Sequence, residues 1–205
     1  MEITIIGTGN MARGIGTRAV AGGHRVNVIG KERPKAEELA AELGEGARVA
    51  DSVSGDVVVL AVFYPDALQA IGQHGEDIDG KVVVDITNPV NEDYSGLVDR
   101  PAGSAAEEIA KAAPEGARVV KAFNTTFAGT LVEGEVSGQP LDVFIASDDE
   151  GAKSTVRELV ESGGLNAIDA GPLSSARYLE GAGFLHISVQ GSLGTGGGSA
   201  LKVLA

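Results

Sequence analysis

The stretch Ile3-Thr4-Ile5-Ile6-Gly7-Thr8-Gly9-Asn10-Met11-Ala12 constrains the fold more than any other part of the chain. Four residues rich in β-branched side chains read as a buried strand, which runs straight into Gly-x-Gly-x-x-Ala and a helical segment from Met11 to Ala21. Gly7 supplies the backbone freedom of a tight strand-to-helix turn, and Gly9, lacking a Cβ, lets a pyrophosphate approach. Small Ala12 lets the helix lie close on the strand, while the helix N-terminus offers unpaired N–H groups to phosphates. A glycine-rich hexamer alone marks many ordinary turns. Here a strand precedes it, a helix follows, and a second strand, Arg25 to Ile29, begins on schedule, which is the context a dinucleotide site requires.

The end of that second strand bears on which dinucleotide. NAD-specific sites place an acidic side chain there to bind the ribose 2′-hydroxyl. This chain reads Gly30-Lys31-Glu32-Arg33-Pro34-Lys35, with no carboxylate at the tip and three cations close behind. A carboxylate would repel a 2′-phosphate, whereas Lys31, Arg33 and Lys35 would attract it, Arg33 with the geometry for a bidentate contact. Cations at a helix start also oppose the helix dipole, so a ligand explains them better than a solvated surface does. Glu32 dissents. The balance favours NADP over NAD.

Strand-like and helix-like pieces then alternate to the end. Helical stretches cover Pro34 to Leu43, Asp66 to Gln73, Ser104 to Ala112 and Glu150 to Ser162. Strands cover Arg48 to Ala50, Asp56 to Val62, Lys81 to Ile86, Ala117 to Phe123, Leu141 to Ala146 and Asn166 to Asp169. Asn124 to Gln139 is less regular, and a C-terminal helical segment starts near Ser174. Near-continuous apolar strands alternating with helices predict an α/β, Rossmann-type doubly wound, mostly parallel sheet covered on both faces. With 205 residues, 43% of them hydrophobic, and no linker-like composition shift, the expectation is one NADP-binding domain over 1–205, with the segment 174–205 packed on it.

Composition removes several chemistries. There is no cysteine, so disulfides, thiolate catalysis and Cys-type metal sites are excluded. His24, His74 and His186 are too scattered to suggest a metal cluster, so no metal is expected. A net charge of −13 argues against nucleic acid, which needs a basic face. No apolar run reaches the roughly 18 residues of a membrane span, and the first residues already read as core strand. The expectation is a cytoplasmic enzyme without membrane attachment.

Ligands of doubly wound sheets lie beyond the carboxyl ends of the strands. Three such ends stand out: Val62-Phe63-Tyr64-Pro65, Thr87-Asn88-Pro89-Val90 and Ala122-Phe123-Asn124-Thr125-Thr126-Phe127. Each joins an aromatic or proline wall to small polar groups, the mixture expected around a nicotinamide and its partner. Asn88 and Asn124 are hard to explain as core, because a buried amide demands partners. Lys121 alternates within an apolar strand, which reads as a solvent-facing edge residue ahead of a functional amine. His186, between Leu185 and Ile187, reads as a satisfied helix histidine. No Ser/His/Asp set or carboxylate pair occupies these mouths. A pocket poor in acid–base groups suits direct hydride transfer between two carriers.

At this point the chain resembles a known family, the NADPH-dependent reductases of the deazaflavin coenzyme F-420, over nearly its whole length. The likeness runs through Gly7 to Met11, Lys31 with Lys35-Ala36-Glu37, Ser104-Ala105-Ala106-Glu107, Val119-Val120-Lys121-Ala122 and Ser147-Asp148-Asp149-Glu150. Its most specific piece is Asp169-Ala170-Gly171-Pro172-Leu173-Ser174-Ser175-Ala176-Arg177. The resemblance implies Thr8 to Met11 as pyrophosphate contacts, Lys31 and Lys35 as 2′-phosphate contacts, Ala122 against the nicotinamide, and paired subunits. The same module is similar to the cytoplasmic domain of metalloreductases that pass electrons from NADPH to a flavin. Departures are Gly30-Lys31 where a Ser-Arg pair is usual, Asn124-Thr125 where a His-Thr pair is usual, and Asn88-Pro89 in place of a more apolar segment.

The combined expectation assigns Gly7, Thr8, Gly9, Asn10, Met11, Lys31, Arg33, Lys35, Val62, Asn88 and Ala122 to NADP(H). Phe63, Pro89, Phe123 and Asn124 are assigned to the second substrate, a deazaflavin or flavin. No catalytic side chain is expected. A reductase of a small imine or carbonyl, and a non-catalytic NADP-binding sensor, are the alternatives. Gly181-Ala182-Gly183 within an apolar helix, and Gly191 to Gly198 beyond it, suit either a homodimer interface or a frayed end.

Overall fold

The computed structural model describes residues 1–99 and 103–204. From the N-terminus the elements are β1 (Glu2–Ile6), α1 (Asn10–Ala21), β2 (Arg25–Ile29), α2 (Arg33–Leu43), β3 (Ala47–Val49), β4 (Val57–Leu60) and α3 (Tyr64–Ile78). They continue as β5 (Val82–Asp85), α4 (Ala105–Ala112), β6 (Arg118–Lys121), α5 (Ala128–Glu133), β7 (Glu135–Val136) and β8 (Gln139–Pro140). The last are β9 (Asp142–Ile145), α6 (Glu150–Ser162), β10 (Asn166–Asp169), α7 (Ala176–Ser188) and α8 (Gln190–Leu193).

Six strands form one parallel sheet in the order β3-β2-β1-β4-β5-β6. The chain moves outward from β1 to β3 and then restarts at β4 on the other side of β1. This reversal leaves a crevice beyond the carboxyl ends of β1 and β4, the place where such sheets bind ligands. Val57 to Leu60 and Val82 to Val84 are buried throughout because helices cover both faces. One apolar layer gathers Ile3, Ile5, Val26, Val28, Leu39, Val156 and Val160; the other gathers Val58, Leu60, Ile71, Ile78, Val83 and Ile109. The Rossmann-type architecture expected from the alternating pattern is the one observed. No helix among the described residues is long and apolar enough to cross a membrane.

Two local features depart from the sequence reading. α3 extends to Ile78 across a kink at His74, well past Gln73. The stretch read as irregular, 124–139, holds α5 and the antiparallel β7–β8 hairpin. A six-residue helix is too short to display a 3.6-residue period, and strands of two residues display none.

The C-terminal tail folds back onto the sheet side of β9. Asp142, buried at the start of β9, accepts hydrogen bonds from Lys202 Nζ, from the Val203 N–H at 2.8 Å and from Asn166 at 3.0 Å. Burial alone would raise this carboxyl; the three donors outweigh burial and hold it below its ordinary range. The stabilisation is therefore complete above about pH 4 and is lost as the pH falls through the lowered folded-state value. Asp142→Asn is expected to release at neutral pH what only acid releases in the parent, seen as faster amide exchange over residues 199–204. Unchanged exchange there would refute the tie. Ala205 lies outside the described residues.

Candidate functional site

The turn after β1 has two glycines with different duties. Gly7 has φ +127°, its N–H donates to the Ile29 carbonyl at 2.8 Å, and a Cβ there would lie 2.2 Å from the Ala61 oxygen. No other residue fits between the ends of β2 and β4. Gly9 caps α1 in extended conformation with no side-chain cap, and nothing lies within 4 Å of where its Cβ would be. The first N–H groups of α1 thus face an open space bounded by backbone, a cradle that fits a pyrophosphate. Asn10 is exposed beside it, and Met11 packs partly on the core. A Cβ at Gly30 would come 2.6 Å from the Thr8 methyl, so a larger residue there would require the Thr8 side chain to move.

Beyond β2 the three expected cations are exposed, and each already meets a carboxylate. Lys31 bonds Asp66 at 2.6 Å, Arg33 bonds Glu37 at 3.1 Å and Asp51 at 2.9 Å, and Lys35 bonds Glu32 at 2.5 Å. Exposed pairs of this kind are worth about 0–1 kcal/mol each, so a dianionic phosphate can displace them. Glu32, the dissenting residue of the sequence, is the partner of Lys35.

A cleft of about 680 Å³ opens between the Gly9–Met11 turn and the ends of β4, β5 and β6. Val62, Phe63, Asn88, Pro89 and Asn124 line it. Ala122 and Phe123 do not. Ala122 is 0% exposed and Phe123 1%, both within the apolar core. The reason is a turn the sequence does not announce: Phe123 has φ +61°, and its carbonyl accepts from the Thr126 N–H at 3.1 Å and Thr126 Oγ1 at 2.7 Å. The chain reverses there, tucks the ring inward, and hands the wall to Asn124, Thr125, Thr126 and Phe127. Sequence reasoning passed over Tyr94, Val98 and Ile187, which line the cleft as well.

The two asparagines form a reciprocal amide pair. Asn88 Nδ2 donates to the Asn124 carbonyl at 2.6 Å, while Asn124 Nδ2 donates to Asn88 Oδ1 and to the Leu179 carbonyl, both at 2.9 Å. Carbonyl partners fix both amide orientations. Asn124 Oδ1 is left buried without a hydrogen-bond partner among the described residues, as is Thr87 Oγ1. Both residues border the cleft, but these two oxygens are themselves buried. Gly183 of α7 is pressed on this pair: a Cβ there would lie 2.6 Å from Asn88 Oδ1 and 2.9 Å from the Asn124 oxygen.

Lys121 is neither a solvent-facing edge residue nor a free amine. It is 0% exposed, and its three ammonium protons go to Asp85 at 2.8 Å, Glu180 at 3.0 Å and the Thr87 carbonyl. Asp85 also accepts from the Thr87 N–H at 2.8 Å, and Glu180 accepts from the Ala105 N–H at 2.9 Å, at the start of α4. The network holds both sides of the Thr87 peptide directly beneath the cleft. An alternating strand pattern cannot tell a solvated face from one roofed by α7, 59 residues later. His186 is a satisfied helix histidine: Nδ1 donates to the Thr125 carbonyl at 3.0 Å, Nε2 meets Ser199 Oγ at 2.8 Å, and the ring packs 4.5 Å from Phe127.

Residues 2–89 match the family described as NADP oxidoreductase, coenzyme F-420-dependent. The chain is 32% identical over 200 residues to the F-420-dependent NADP reductase of Methanothermobacter thermautotrophicus, covering 88% of this chain and 85% of that protein. It belongs to the F-420-dependent NADP reductase family. The fold extends that family likeness: the chain superposes with a TM-score of 0.86 on an Arthrobacter crystal structure provisionally described as an F-420-dependent NADP-reductase, at 27% identity and 99% coverage of both chains. The metalloreductase STEAP3 of Rattus norvegicus is also 32% identical, over 87% of this chain but only 36% of that longer protein. The family's reductases and the metalloreductase thus both resemble this chain over most of its length.

Proposed function

We propose that the chain is an NADP-dependent oxidoreductase, one NADP-binding unit that transfers hydride between NADP(H) and coenzyme F-420 or a flavin. The observation that carries this reading is the cleft itself. An open dinucleotide turn meets three strand ends, and the two candidate proton groups beneath and beside it, Lys121 and His186, have every polar atom engaged. The hydride chemistry belongs to the two bound rings. The protein has to bring them within about 3–3.5 Å and exclude water. In this reading the α1 N-terminus holds the pyrophosphate, Lys31, Arg33 and Lys35 take the 2′-phosphate, and Val62 and Asn88 border the nicotinamide. Phe63, Pro89 and Asn124 border the acceptor.

An acceptor screen tests it. NADPH with purified F-420 or FMN should bleach the acceptor band, whereas turnover of cyclic imines alone would replace the acceptor assignment. Tight NADPH binding without turnover of any acceptor would make the chain a sensor. The native protein should bind NADPH at least tenfold more tightly than NADH, about 1.4 kcal/mol. Lys31→Ala with Arg33→Ala should erase that preference and leave NADH affinity nearly unchanged, measured by titration. Equal affinities in the native protein would remove the phosphate site.

A homodimer forms part of the proposal. α7 and α8 leave Tyr178, Leu185 and Leu193 exposed, an apolar stripe that a second copy would cover. Light scattering at micromolar concentration should give the dimer mass; a monomer mass would refute it.

A further inference from the structure

Two large aromatic side chains stand at the mouth of the cleft on backbone positions that favour other residues. Phe63 is the N-cap of α3, with φ −69° and ψ 156° and no side-chain capping bond. Ser, Thr, Asp or Asn would satisfy an orphan N–H there, which phenylalanine cannot. Tyr94 has φ +57°, a left-handed conformation that glycine or asparagine adopts readily and a bulky residue adopts at a cost. Both side chains line the same cleft, yet they are 76% and 60% exposed. Neither ring is held there by core packing.

Tyr94 sits at the tip of a built flap. Residues 89–98 close on themselves through Val98 N–H to the Pro89 carbonyl at 2.8 Å and a bridge between Val90 and Leu97. Asn91 binds the Gly96 N–H at 3.1 Å and Ser95 Oγ at 3.0 Å, and its carbonyl receives the Tyr94 N–H at 3.0 Å. Asp93 accepts from the Ser95 N–H at 3.0 Å, and bonds from Ser95 keep its carboxyl below the ordinary range. The turn that forces Tyr94 into a positive φ is therefore over-determined by its neighbours. Backbone strain retained under such support clusters at ligand clamps.

We infer that Phe63 and Tyr94 form an aromatic clamp for the planar fused ring of the hydride acceptor. The inference rests on the acceptor reading above and narrows it to wide, flat rings with two π faces. A ring of that kind gains from stacking on an exposed aromatic, with little demand on sequence-specific polar contacts. A small imine or carbonyl offers no such face and would leave both side chains idle.

The experiment uses fluorescence quenching of FMN and of F-420 by the NADP⁺-loaded protein, which reads binding without turnover. Phe63→Ser supplies the missing cap and Tyr94→Gly suits the left-handed turn, so both should melt at or above the parent temperature. Both should nevertheless weaken ring binding at least tenfold, with NADPH affinity within twofold of the parent. Tyr94→Phe should bind as the parent does. Tyr94→Leu, which keeps apolar bulk, should fail like glycine. Unchanged ring affinity in Phe63→Ser and Tyr94→Gly would overturn the clamp, as would a parent that binds neither ring. An equal loss of NADPH affinity would overturn it too, since the rings would then hold the nicotinamide. Failure of the acceptor reading shows separately, as ring binding without hydride transfer.

Discussion

Lys121→Ala is expected to cost the folded state about 3–5 kcal/mol, the usual penalty for removing one partner of a buried ion pair. Asp85 and Glu180 would remain fully buried with no ammonium between them. For a chain of this size the loss corresponds to roughly 6–20 °C in melting temperature. The Thr87 carbonyl would lose its donor as well, so the strand end that carries Asn88 should loosen. The combination of Lys121→Met, Asp85→Asn and Glu180→Gln should recover much of the loss, because neutral groups of similar volume remove the desolvation penalty. A single alanine variant melting within 2 °C of the parent would show that the network is not a structural ion cluster. This effect on folding also displaces the simple kinetic test that a surface lysine would invite.

Gly183→Ala should damage both stability and turnover, while Gly181→Ala, two residues away on α7, should stabilise. Alanine replaces an unobstructed helical glycine with a gain of about 0.4–1 kcal/mol. Nothing lies within 4 Å of a Cβ at Gly181, so it should show that gain. At Gly183 the new methyl would meet Asn88 Oδ1 at 2.6 Å, Asn88 Nδ2 at 2.8 Å and the Asn124 carbonyl at 2.9 Å. Overpacking typically costs about 1–3 kcal/mol, and here the atoms displaced form the cleft wall. A shift of about 1 Å in positioning groups can lower a rate 100-fold, and a loss of that order in kcat is expected. Two alanine variants with matching melting temperatures and rates would dismiss the close approach.

Gly183 also bears on the glycines of the C-terminal segment. The requirement for a close neighbour holds at this position, and the neighbour is the chain's own amide pair. Gly191 and Gly194 have nothing within 4 Å of their would-be Cβ atoms, so the dimer proposal rests on the exposed Tyr178, Leu185 and Leu193.

What the sequence determined by itself is local or periodic. The Gly7-Thr8-Gly9 turn, the run of apolar strands and the spacing of helices each depend on residues within one or two turns of one another. They led to the parallel sheet, the crevice at its reversal, and three strand ends of which Val62, Phe63, Asn88, Pro89 and Asn124 line the cleft. α6 and β10 fall on the residues expected for them. Only the tertiary structure decided the rest. Whether Lys121 faces water depends on Glu180, whether Phe123 reaches the wall depends on a turn closed by Thr126, and whether the tail frays depends on Asp142 meeting Lys202, 60 residues on. The flap that presents Tyr94 is likewise invisible to periodicity, because it is held by the side chains of Asn91 and Asp93 and by a few backbone contacts within residues 89–98. Periodic patterns record which side of an element is apolar; what covers that side is settled by contacts between residues far apart in the chain.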